Sequence, residues 1–314
     1  MNALFFDHPG YLDTLTWLGT PVHLPAGSAV LRPAAPDLQD ARGSWPYQSP
    51  PSAGLLTALA QQGNALNLTA VIRPDISVWA LQSSLQVVRE NFALTVSPLK
   101  DHLCHSATRP AARETYSART LRRLDEARRT FTVQREVFGP SHLVIAQWQE
   151  RIRQRRNVPH ISSPDAAHFT ALANLPLRMK EGLACITLRR RQGGALAGIF
   201  LAMEDAETGN WHAHSALSEE AAIAEFGNYL LFDGAIDILK GQDLWFGGAP
   251  GGANGAGVFR FKQRFSNHAA PAHIVSVDLD SISLDRLRAE RGHFDFLPDY
   301  RDPRAELALR QEAG

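Results

Sequence analysis

The chain is poor in the residues that mark several protein classes. Its only cysteines are Cys104 and Cys185, too few for a disulfide framework, so a reduced, cytoplasmic setting is expected. No run approaches the roughly 18 apolar residues of a membrane span. The start, Met1-Asn2-Ala3-Leu4-Phe5-Phe6-Asp7-His8, has no basic segment ahead of an apolar one, which argues against a secretory signal. Net charge is absent too, with 32 Lys+Arg against 32 Asp+Glu. No Gly-x-Ser-x-Gly elbow marks a hydrolase nucleophile, and the glycine-rich stretch Gly247–Gly257 lacks the Gly-Lys-Ser/Thr of a phosphate loop. The run His102-Leu103-Cys104-His105 has no second cluster at ligand spacing, so no metal is expected.

What remains is a globular composition, 44% hydrophobic over 314 residues, a length that suits about two domains. Charge is unevenly spread. Residues 1–104 carry five basic and seven acidic side chains, 105–191 seventeen and seven, and 192–314 ten and eighteen. The middle block is almost all arginine. One reading is a surface for a phosphorylated partner, since the guanidinium fork grips phosphate. The other is a solvated helix face balanced by the acidic C-terminal third.

Local patterns place the elements. Residues 32–53 hold five prolines with Gly43 and several serines and read as loop. Ser52–Gln62 reads as helix, and Ala65–Ile72 and Asn91–Val96 as strands. Ser117–Arg129 is a helix with Leu121, Leu124, Ala118 and Ala127 on its apolar stripe. A strand follows at Phe131–Val137, then helices His142–Arg156 and Pro164–Leu175. Leu183–Arg189, a turn at Arg190–Gly194 and Ala195–Met203 form a hairpin, its signal being Gly193-Gly194. Further on come a strand Asn210–Leu217, a long helix Gly227–Lys240, a strand Asp243–Gly247, a short helix Val258–Phe265 and a strand His273–Leu279. The carboxylates Asp233 and Asp237, one turn apart on the long helix, read as solvated.

This C-terminal order resembles the GNAT fold, in its Fem-like (FemAB-type) acyltransferase branch. Three signals carry the resemblance: the hairpin, strand and long helix opening Gly227-Asn228-Tyr229-Leu230-Leu231; the strand ending Phe246-Gly247-Gly248; and Gly257-Val258-Phe259-Arg260-Phe261-Lys262-Gln263-Arg264-Phe265, a glycine, then Phe-Lys, then an aromatic. The Arg-rich helix Tyr116–Arg129 is similar to one that such proteins carry between two halves. The resemblance spans about residues 90–300 and implies an α/β (α+β) fold, a mixed sheet flanked by helices, in two GNAT-like halves. They would be residues 1–150, with the Pro-rich loop at 32–53, and 151–314, with the donor site.

The resemblance further implies an N-acyltransferase. An amine of a small molecule or peptide would attack an activated ester or thioester directly, without a covalent enzyme intermediate. The donor would be a cosubstrate, not a tightly bound cofactor: acyl-CoA, acyl carrier protein or aminoacyl-tRNA. No DNA partner is implied. GNAT folds splay a pair of parallel strands to seat the donor, here 210–217 and 243–247. Lys262 would stabilise charge at the reacting carbonyl. His212 and His214, two apart on one strand and so on one face, would relay the amine's proton. Gly227 and Asn228 at the helix start, with Arg260, Phe261 and Arg264, would contact the donor. Acyl-CoA-binding GNAT proteins place Arg/Gln-x-x-Gly-x-Gly/Ala before that helix. Here Ser218–Phe226 reads SEEAAIAEF, which leaves carrier protein or aminoacyl-tRNA open as donors. The alternative is a GNAT-like fold without catalysis that binds RNA or protein through its arginines.

Overall fold

The computed structural model describes residues 5–35, 37–156, 164–248 and 255–291. In chain order the strands are β1 Thr20–Leu24, β2 Gly27–Ala35, β3 Leu38–Arg42, β4 Ala65–Ile72, β5 Leu94–His105, β6 Phe131–Glu136, β7 Leu183–Arg190, β8 Leu196–Glu204, β9 Trp211–Ser218, β10 Leu244–Gly247 and β11 His268–Asp278. No helix among the described residues is long and apolar enough to cross a membrane.

The chain folds into two compact units. One comprises Leu18–Leu99 with Ala272–Gly314, the other Met1–Trp17 with Lys100–Pro271. This differs from the division at residue 150, which runs through the interior of the second unit. Packing, not sequence order, draws the boundary: the start of the chain belongs with the second unit, and the C-terminal segment brings β11 to the sheet of the first.

In the first unit the strands lie in the order β1-β2-β3-β4-β11. β4 pairs antiparallel with β11 and parallel with β3. Leu68, Ala70, Ile72, Val275 and Val277 bury one face against Leu55, Leu56 and Leu59 of the helix Ala53–Ala60, which Ser52 caps by accepting from Leu55 N. The loop expected at 32–53 is corrected here. β2 ends and β3 runs within it, pairing Arg32 with Asp40 and Pro33 with Gln39. A proline fits a strand wherever its missing N–H faces away from the ladder, and Asp37, at φ 61°, provides the reversal.

The second unit holds a sheet in the order β5-β10-β9-β8-β7-β6. The hairpin β7–β8 forms as expected, turning at Gly193 and Gly194 with φ of 75° and 65°. The long helix runs Gly227–Ile238. It buries Leu231, Phe232 and Ala235 against Ile186, Leu188, Phe200 and Ala202 of the sheet. Beside it lies the arginine-rich helix Ala118–Thr130, capped by Ser117. That helix buries Thr120, Leu124 and Ala127; Leu121, expected on the stripe, is 45% exposed, because its apolar face is rotated toward Thr120.

The reading of Asp233 and Asp237 as a solvated pair is also corrected. Asp233 is 1% exposed, and its carboxylate accepts from Arg113 Nε at 2.6 Å, Arg128 at 3.1 Å and Tyr116 Oη at 3.2 Å. Asp237 binds Arg113 at 2.6 Å. These carboxylates sew the arginine helix and its approach to the long helix.

Candidate functional site

The site begins with a short ladder. β9 and β10 run parallel and pair only at Trp211 with Leu244 and His212 with Trp245. β9 continues through Ser218 on the β8 side. β10 breaks register between Trp245 and Gly247 on the β5 side. The ladder between the two strands therefore ends after His212 and Trp245. Asp243 anchors the joined end, accepting from Ser106 Oγ at 2.9 Å and Ala107 N at 2.8 Å.

At the end of β10, Gly248 sits among cations. The helix Gly255–Gln263 brings Lys262 Nζ to 3.0 Å from the Gly248 carbonyl, to which it donates. A Cβ at position 248 would lie 2.8 Å from His102 Cδ2, 2.9 Å from Lys100 Cε and 3.0 Å from the Asp101 carbonyl. A side chain there would push the Lys100 and His102 side chains aside. Burial, and then the nearby Lys100 charge, pull the Lys262 ammonium from 10.5 down to about 8. Burial likewise lowers Lys100. Burial, then the charges of Lys100, Lys262 and His212, push His102 down to about 3. Lys100 and Lys262 thus bring two ammonium groups toward Gly248, a composition that favours a developing oxyanion.

Phe261, beside the lysine, holds the helix in place. Its ring meets Tyr229 at 5.2 Å and Phe232 at 5.0 Å, edge to face. Arg260 and Arg264 are exposed on the outer face of the same segment.

The other expected residues lie apart from this point. Gly227 is buried at the start of the long helix, where a Cβ would fall 2.7 Å from Leu188 Cδ2 and 3.0 Å from the Ala222 carbonyl. Asn228 is half-buried beside it. The preceding segment, where a diphosphate loop would lie, is itself a turn of helix, Glu220–Ala224. Arg190 clasps it, bonding Glu219 at 2.7 Å and Glu225 at 3.1 Å.

His212 is fully buried under the Phe6 ring, 6.1 Å away. His214 is buried on the same side of the sheet, its Nε2 3.0 Å from His168 Nε2. Hydrogen bonding settles the tautomers of this pair. The Thr14 carbonyl, 3.0 Å from His168 Nδ1, can only accept, so that nitrogen carries the proton. His168 Nε2 then accepts from His214 Nε2, and His214 Nδ1 accepts from Ser215 Oγ at 2.9 Å. Burial keeps both rings neutral, His168 near 4 and His214 well below its ordinary value. The expectation that both histidines share an open face thus meets a covered one: Phe6, Tyr11 and Phe169 close over it.

Four arginines of the block pair with carboxylates from the C-terminal third: Arg113 and Arg128 with Asp233, Arg155 with Glu220, Arg190 with Glu219 and Glu225. Arg123 lies over the Phe226 and Tyr229 rings, 5.0 Å from each centroid.

Sequence reasoning passed over Lys100 and Gly248, and weighed His102 only as a metal ligand. The alternation of Lys100, His102 and Cys104 along one strand face was the available signal. The central portion of the glycine-rich stretch, residues 249–254, lies outside the described residues.

By sequence the chain matches no family model and no curated relative. By structure it is similar to FemX, with a TM-score of 0.58 at 10% identity over 86% of this chain and 91% of that one. The fold is the GNAT fold in its Fem-like form. Two other solved structures share this Fem-like fold. One is the C-terminal DUF2156 domain of a protein assigned as a lysylphosphatidylglycerol synthetase in Agrobacterium fabrum (TM-score 0.53, 12% identity, 91% and 93% of the two chains). The other is L-PGS of Bacillus licheniformis (0.50, 12%, 84% and 86%).

Proposed function

We propose that this protein is an N-acyltransferase that moves an acyl or aminoacyl group from an activated ester or thioester to a substrate amine. The observation that carries the reading is Lys262, held on the Gly248 carbonyl just beyond the last paired residues of β9 and β10. The amine's lone pair attacks the donor carbonyl carbon, and the carbonyl π-electrons move to oxygen. The Lys262 ammonium, already desolvated and oriented, donates to that oxyanion. Collapse expels the alkoxide or thiolate, which takes up one proton as the amine gives one up. No enzyme nucleophile is needed: Cys104 and Cys185 are both buried, and burial pushes the Cys185 thiol up to about 12.

The donor reading favours a carrier-protein thioester or an aminoacyl ester on tRNA over free acyl-CoA. A diphosphate needs open amides at the start of the long helix. Here Gly227 is buried, and the segment before it carries three acids, Glu219, Glu220 and Glu225. The acceptor is a small-molecule or peptide amine. The rival reading, a non-catalytic RNA binder, rests on the arginine block alone, and Arg113, Arg128 and Arg190 of that block are already engaged by carboxylates.

A donor screen tests the proposal: thermal shift with acyl-CoAs, an acyl carrier protein and charged tRNA, followed by turnover with the stabilising donor. Lys262→Ala should abolish transfer with the fold intact. Unchanged transfer in that variant, or no stabilisation by any donor, would overturn it. An RNA binder would ignore Lys262→Ala and lose salt-dependent affinity on Arg122→Ala with Arg123→Ala.

A further inference from the structure

One helical face of the first unit carries no charge. From Ile76 to Val88 the sequence has no acidic or basic residue. The helices Val78–Ser84 and Gln86–Arg89 run end to end through Leu85, whose N–H donates to the Leu81 carbonyl and whose own carbonyl accepts from Arg89 N. Ser77 caps their start, accepting from Ala80 N at 3.2 Å. Leu81, Leu85 and Val88 point into the core beneath. Outward stand Trp79, 77% exposed, and Val87, 58% exposed. Scattered exposed valines are ordinary. A tryptophan open to water on an uncharged helix face is not, because contact surfaces are where tryptophan is enriched and charge is depleted.

The pattern of this face selects its partner. Trp79, Ser83 and Val87 lie four residues apart, about one turn each, so they share one outer stripe. A second copy laid antiparallel across the stripe, with a two-fold axis at Ser83, sets Trp79 of each chain against Val87 of the other. The small side chains of Ala80 and Ser83 give the ring room. One patch thereby supplies both halves, as a closed two-fold contact requires. Charge points the same way. A neutral face matches its own copy, offers nothing to a charged partner, and lacks the lysines and arginines that draw a helix onto an anionic membrane. The whole chain has a formal net charge of zero at pH 7, so two copies approach without long-range repulsion.

We propose that this protein forms a two-fold dimer through the helical face of Trp79, Ser83 and Val87. One helical segment from each copy makes a contact smaller than the roughly 1,600 Å² of a standard interface. The dimer therefore dissociates in the micromolar range.

Sedimentation velocity of the full chain over about 1–200 µM tests this. The wild type should shift from monomer toward dimer as concentration rises. Trp79→Ser should weaken association about a hundredfold or more, because each dimer loses the ring twice. Ser83→Arg, which sets like charges on the axis, should leave only monomer. Ile282→Ser, which removes another exposed apolar side chain, should change nothing. Cross-linking reads the register. Cys104 and Cys185 are buried, so mild oxidation should leave the wild type unlinked and join Ser83→Cys into a covalent dimer. Gln82→Cys, about 100° round the helix, should not link. A wild type that stays monomeric throughout would overturn the inference, as would a dimer indifferent to Trp79, or linking as fast at position 82 as at 83. Trp79-dependent binding of a monomer to phosphatidylcholine–phosphatidylserine vesicles would assign the face to a membrane and overturn it too. The substituted positions are all exposed; circular dichroism identifies any variant that fails to fold, and Ser83→Cys then decides the matter.

Discussion

Lys262 is costly to the fold if it serves chemistry, and Lys262→Met should reveal that cost. Burial and Lys100 lower the ammonium from 10.5 to about 8. At about 1.4 kcal/mol per unit, keeping it charged in the native state costs up to about 3 kcal/mol. Methionine removes that penalty and keeps most of the apolar stem. It also strips the Gly248 carbonyl of its donor, a loss of about 1 kcal/mol. The net expectation is a gain of about 2 kcal/mol at pH 7, or a rise in Tm of roughly 4–8 °C. The pH dependence follows. Between about 8 and 10.5 the unfolded wild type binds more protons than the folded one, so its stability rises with pH across that window. The advantage of Lys262→Met should therefore be full below pH 8 and shrink toward pH 10. Thermal denaturation of both proteins by circular dichroism from pH 6.5 to 9.5 measures this. A destabilised variant at pH 7, or a difference that does not change with pH, would refute the reasoning.

Other expectations are independent of this one. Asp233→Asn should lower stability by about 2 kcal/mol in urea denaturation, because a buried carboxylate loses its ion pairs while Arg113 and Arg128 recover some hydration. Acid should destabilise the protein as pH falls from 6.5 toward 4, by up to about 1.4 kcal/mol per pH unit for each buried histidine that must gain a proton on unfolding; His168 and His214 are the source, and His168→Phe should flatten the slope of unfolding midpoint against pH. Gly248→Ala should cut transfer much more than it changes Tm, since its methyl meets His102, Lys100 and the Asp101 carbonyl. Coenzyme A should leave Tm unchanged in the wild type, and a clear shift would contradict the closed start of the long helix.

Much of the second unit was legible in the sequence because local signals agreed there. Ser117 marks a cap, Gly193-Gly194 a hairpin, and Gly227–Ile238 a helix with an apolar face. The parallel pairing of β9 with β10 followed from the order of those elements. The strands β2 and β3 were hidden because proline and serine dominate composition there, while the pairing that makes them strands is with each other and with β4. The burial of Asp233 was hidden for a related reason: Arg113 lies 120 residues away in sequence. The cover over His212 and His214 comes from the start of the chain and from the helix Ala166–Ala173, whose packing against β9 no local pattern records. Of the site itself, Lys262 could be found from its Phe-Lys context. Lys100, His102 and Gly248 join it only through folding.

The central claim is that an activated carbonyl lies between β9 and β10, beyond their last paired residues and within reach of Lys262. A crystal structure with a non-hydrolysable, amide-linked aminoacyl nucleotide tests it most directly. The account predicts the amide carbonyl oxygen hydrogen-bonded to Lys262 Nζ, with the chain of the ligand running between Ala213–Ser218 and Phe246–Gly248. An analogue bound elsewhere on the protein, with that gap filled by protein side chains, would contradict it.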